Sequence, residues 1–89
     1  MSKYVVSYDL NKGGQNYSEL IKYLESFTKK VHIQESVWFI QSDLSKSSIS
    51  NNIQNILDTN DEFLVYLLND NPYGSVDDDV YHDFKEFFN

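Results

Sequence analysis

A few residues of the 89-residue chain are of types that could do chemistry, and each also has a plainer use. Asp9 closes an alternating apolar segment (Tyr4, Val6, Tyr8), where a short carboxylate accepts hydrogen bonds from loop amides such as that of Asn11. Ser36 stands between two apolar runs and suits a corner; as a nucleophile it would need a base, and the sequence puts none demonstrably beside it. Lys12, Gly13 and Gly14 come just before a helical pattern, where backbone amides and one ammonium could hold an anion. The spacing is not that of a nucleotide-binding loop. His32 and His82 lie far apart, and neither has zinc-ligand spacing. His82, with Asp78, Asp79 and Asp83 near it, could hold a cation loosely, although such a charge run equally makes a solvated face.

Composition narrows the classes. Without cysteine, disulfides, thiolate metal sites and cysteine nucleophiles are excluded. No apolar run reaches the length of a membrane span, and the opening MSKYVVSYDL lacks the features of a signal peptide, so a cytoplasmic protein is expected. The net charge of −7 is unevenly placed: nine acids fall in residues 58–89, against Lys85 alone. No arginine is present, which removes the planar fork that best reads phosphates and guanine edges. Tight nucleic-acid binding by electrostatics alone is therefore disfavoured.

These residues must be positioned by a short series of elements. Residues 3–9 read as a strand, and residues 17–28 as a helix opened by an Asn16/Glu19 capping box, with Tyr17, Leu20, Ile21, Leu24 and Phe27 on one face. Lys29 and Lys30 are expected at its C-terminal end, complementing the dipole. Residues 29–42 read as two strands with a corner near Glu35 and Ser36, and Trp38 belongs to the core or a dimer interface. Ser45 caps a second helix with the stripe Ile49, Ile53, Ile56 and Leu57, and Leu44 is placed to staple onto Ile49. Residues 62–68 read as a strand buried on both faces.

The order βαββαβ predicts an α+β, ferredoxin-like fold over residues 1–70, with an antiparallel sheet and both helices on one face. The other face would then be open and aromatic, which predicts a homodimer through that face or a sheet edge. Residues 71–89 are expected to form an acidic, aromatic extension on a sheet edge or on the partner subunit. Asp77, Asp78 and Asp79 favour a helix start there, with Val80, Phe84, Phe87 and Phe88 as its apolar stripe; the alternative is a mobile acidic tail.

The segments YVVSYDLNK, GQNYSEL, SVWFIQSD and LDTNDEFLVYLL, and the aromatic segment after Asn71, resemble the SinR-like small proteins. Those belong to the superfamily of the CRISPR-associated endoribonuclease subunit and the VapD toxins. Gly13 replaces the proline common in the SinR-like proteins, and the acidic tail and missing arginine depart further. The resemblance implies a metal role for Asp9, facing its dimer mate so that two carboxylates hold one Mg²⁺ or Mn²⁺, and a place for Ser36 near a phosphate or metal-bound water. It implies a metal-dependent endonuclease acting on RNA or DNA. Composition keeps two alternatives beside it: a non-catalytic protein-binding adaptor, and an acidic inhibitor that mimics nucleic acid.

Overall fold

The computed structural model describes residues 1–10 and 16–88; the Lys12, Gly13 and Gly14 anion site anticipated above lies outside them. The elements are β1 (Ser2–Asp9), α1 (Tyr17–Glu25), β2 (Lys29–Gln34), β3 (Val37–Ser42), α2 (Lys46–Ile56), β4 (Glu62–Leu67) and α3 (Asp78–Phe87). The strands form one sheet in the order β2-β3-β1-β4, with each neighbouring pair antiparallel. This is the ferredoxin-like arrangement expected. Among the described residues no helix is long and apolar enough to cross a membrane.

The period-2 alternation of β1 divides the protein into two cores. Tyr4, Val6 and Tyr8 point to one face, joined there by Trp38 and Ile40 of β3, and are covered by Leu20 and Leu24 of α1 and Ile49 and Ile53 of α2. Val5 points to the opposite face and packs with Val31, Ile33 and Phe39 under Phe87 of α3. The second face is thus not left bare. The extension lies on its own sheet, against the outer strand β2. Phe84, Phe87 and Phe88 each set a ring within about 6 Å of Phe39, and the Lys3 ammonium sits 5.7 and 5.6 Å from the Phe87 and Phe88 ring centroids.

Several local expectations are corrected. The first helix starts at Tyr17 as expected, but the Asn16 side chain makes no capping hydrogen bond, and the helix stops at Glu25, not residue 28. Ser26 takes over there, its hydroxyl donating to the Tyr23 carbonyl. Lys29 and Lys30 consequently begin β2 instead of closing a helix. Ser45 does cap α2, accepting from the Ser48 amide at 3.1 Å, while Leu44 stays exposed and offers its carbonyl to the Tyr4 hydroxyl at 2.9 Å. Strand β4 is not buried on both faces, because it is the last strand of the sheet order and α3 lies over the far side. Leu64 is 66% exposed, Leu67 49% and Tyr66 47%.

If α3 closes the second core, Phe87→Ala should lower unfolding stability by about 3 kcal/mol, the usual cost of emptying a buried phenylalanine site. Urea denaturation checks this. A loss below about 1 kcal/mol would show that α3 rests on the sheet without holding it.

Candidate functional site

Asp9 ends β1 directly across from Glu62 of β4. On its other side the Tyr8 amide donates to the Ser36 carbonyl at 3.1 Å, so the turn between β2 and β3 lies at the same end of the sheet. Asp9 and Ser36, predicted separately, are brought to one edge of the fold. By the alternation of β1, Asp9 shares the face of Val5 and Ser7, and it is exposed. The Asn11 amide proposed as its hydrogen-bond donor lies outside the described residues.

The antiparallel register adds partners that sequence reading missed. A shallow cleft of about 590 Å³ is lined by Ser7, Asp9, Gln54, Asp61, Glu62 and Leu64, among others, and so gathers three carboxylates without a lysine among its described lining residues. The strand start at Glu62 was legible, but only strand pairing places it beside Asp9. Such a cleft attracts cations and repels a bare phosphate. Asp61 is tied into its turn, accepting from the Asp58 amide at 3.1 Å.

The Ser36 turn is held from beneath by buried aromatic groups. Tyr8 accepts a hydrogen bond from Trp38 Nε1 at 3.3 Å and donates to the Glu35 carbonyl at 3.4 Å; His32 Nε2 lies 3.1 Å from the same carbonyl. The His32 ring stacks on Trp38 with centroids 4.3 Å apart. Histidine 32 is thus used in supporting the turn, and Trp38 is a core residue. Burial, partly opposed by the Trp38 hydrogen bond, pushes the Tyr8 phenol up to about 12.

His82 gains a different set of neighbours from the one anticipated. Among the described residues, one group of three or more His, Asp or Glu side chains has ligand atoms within 4.8 Å of one another: His82, Asp83 and Glu86, all exposed. His82 Nε2 lies 3.2 Å from a Glu86 carboxylate oxygen, one helical turn away. Asp78 and Asp79 are not in that group. Among the described residues, Asp9 does not join Asp61 and Glu62 in such a convergence.

Beside the cleft, the second face carries a groove of about 670 Å³ between the sheet, residues 72–76 and α3, with Val37, Phe39, Tyr66, Tyr73 and Tyr81 among its walls. It is lined where α3 leaves the sheet uncovered.

The family model for CRISPR associated protein Cas2 matches residues 1–76. The chain belongs to the Cas2 family. The match spans the sheet, α1 and α2 and stops just before α3, so the helix closing the second core lies beyond it. No curated protein and no solved structure matches the chain. Membership places this Cas2-family chain in the CRISPR-associated endoribonuclease superfamily, in agreement with the resemblance carried by its strand and turn segments.

Tyr8 offers a test of how the turn is held. Tyr8→Phe leaves Trp38 Nε1 without its acceptor and should cost about 1–2 kcal/mol of unfolding stability. The raised phenol also sets a sign. Tyrosine in the unfolded chain ionises near 10, so the Tyr8 contribution is complete below about pH 10 and fades as pH rises toward about 12. Alkaline denaturation curves of the two proteins should therefore converge across that interval; parallel curves would place the cause elsewhere.

Proposed function

We propose that this chain is a metal-dependent endonuclease of RNA or DNA, acting as a homodimer in which the Asp9 carboxylates of two copies meet. The observation that carries the reading is the position of Asp9: exposed, at the end of the central strand, on the sheet face that α3 covers only in part. Among the described residues no group of three His, Asp or Glu ligands includes Asp9, so a second copy has a chemical role as well as an apolar one. Leu64 and Tyr66, exposed beside the cleft, supply apolar surface for that contact.

Oxygen ligands of this kind fit Mg²⁺ or Mn²⁺, which supplies charge neutralisation of a phosphodiester and an activated water. The protein's own part is to hold the carboxylates and place the scissile phosphate. Asp9 is fixed by its pairing with Glu62, and Ser36 is fixed by the Tyr8 amide, at the same end of the sheet. Ser36 acts here as a positioning group for phosphate or water. Without arginine and with three carboxylates in the cleft, substrate binding depends on the cation. The quoted strand and turn segments support the SinR-like branch, related to VapD, as the nearer kin.

Incubation with single- and double-stranded RNA and DNA, in Mg²⁺, Mn²⁺ or EDTA, alongside an identically prepared Asp9→Asn protein, tests this reading. Cleavage should need the metal and fall more than about 100-fold in the variant. Equal cleavage by both proteins would point to a contaminant. No cleavage from a folded protein in any condition would overturn the enzyme reading in favour of a protein-binding adaptor.

A further inference from the structure

The groove on the second face has no part in the reading of Asp9. It holds about 670 Å³ between the sheet, residues 72–76 and α3, and none of Asp9, Asp61 and Glu62 lines it. Small-molecule sites span roughly 300–1,000 Å³, so the volume suits an organic ligand. Asp78, Tyr81 and Phe84, which form its α3 wall, lie beyond the family match at residues 1–76. The groove is therefore a feature of this chain's own extension.

Its lining is aromatic at two depths. Phe39 is buried and Phe84 half-buried, with ring centroids 6.3 Å apart. Three tyrosines stand nearer solvent: Tyr66 and Tyr81 are about half exposed, and Tyr73 is fully exposed. Aromatic walls around one concavity offer ring area that a flat apolar ligand buries far better than water covers it.

Charge then selects the ligand. Among the described lining residues there is no lysine, and the chain has no arginine, so a carboxylate or phosphate finds no counter-charge in the groove. Asp78 is the one charged side chain in that lining; it is exposed and forms no ion pair among the described residues. The faces of tyrosine rings attract cations as well. Tyr81 already does so, with the Lys85 ammonium, which is outside the lining, 5.6 Å from its ring centroid. Ring faces and carboxylate thus favour the same charge. We propose that this groove binds a small aromatic amine, its ring system against Phe39, Phe84 and the tyrosines and its ammonium at Asp78. Of the groove's lining, only Tyr66 also belongs to the apolar surface assigned to the contact between copies.

Naphthylmethylamine, naphthylmethanol and naphthoate share one ring system and differ in charge, so titrating each into the whole protein while following amide NMR shifts separates shape from charge. The amine should shift the amides of Gly74, Ser75, Val76 and Tyr81. It should bind about tenfold more tightly than naphthoate and about three- to fivefold more tightly than the alcohol, the reach of an exposed ion pair aided by ring faces. Asp78→Asn should erase the preference for the amine over the alcohol, and Asp78→Glu should keep it. Asp79→Asn removes the same charge from the same helical turn without touching the lining, and should leave the preference unchanged. Any of four outcomes overturns the proposal: no shift with the amine, equal binding of amine and naphthoate, shifts spread over the whole acidic surface, or equal losses in Asp78→Asn and Asp79→Asn. The readout is binding and not cleavage, so failure here leaves the nuclease reading standing, and failure of that reading leaves the groove.

Discussion

Strand β1 is hydrogen-bonded on both sides, and every other part of the fold takes its place from that fact. Its even-numbered residues Tyr4, Val6 and Tyr8 anchor the core beneath α1 and α2, and Val5 anchors the second core beneath α3. Shifting its register by one residue would exchange the two sets and expose both. The same pairing fixes the end of the strand, so Asp9, the Ser36 turn and Glu62 are placed by the backbone ladder instead of by contacts among themselves. A site built this way inherits the stiffness of the sheet.

The second core is small and asymmetric. Five aromatic or aliphatic side chains of the sheet and α3 are buried there, with Phe87 the one fully enclosed residue of its helix. Because α3 lies across β2, the β4 side is left with Leu64 and Tyr66 in the open and the groove beside them. Coverage of a single face is therefore divided between intramolecular packing and surface that remains available. The acids of α3 are exposed, where they add to the negative field without entering the core.

Much of this was legible in the residues. The alternation of Tyr4, Val6 and Tyr8, the Ile49/Ile53 stripe and the corner at Glu35 and Ser36 each satisfied one local rule, and together they specify the βαββαβ order. What was not legible depended on neighbours. The run EFLVYL has the composition of a central strand, and only the sheet order makes it an edge. Lys29 and Lys30 suit a helix end as well as a strand start; the choice fell to Ser26, whose hydroxyl bond accompanies the end of α1 at residue 25. Glu62 could be seen as the start of a strand, yet its meeting with Asp9 is a product of strand pairing across more than half the chain. His82, Asp83 and Glu86 form a group only because the helix is in register.

Lys3 and Phe88 lie far apart in sequence and in contact in space, with the ammonium 5.6 Å from the ring centroid. This arrangement orders the events of synthesis. Everything in the first core lies at or before Val65, so the helix-covered side can condense as soon as β4 has been made. Val5, Val31, Ile33 and Phe39 must wait for Phe87. In that interval the nascent chain presents a half-finished sheet with an uncovered apolar face, the kind of transient surface that chaperones engage and that promotes misassembly. The helix beyond the family match is thus also the step that ends the chain's exposure to its neighbours.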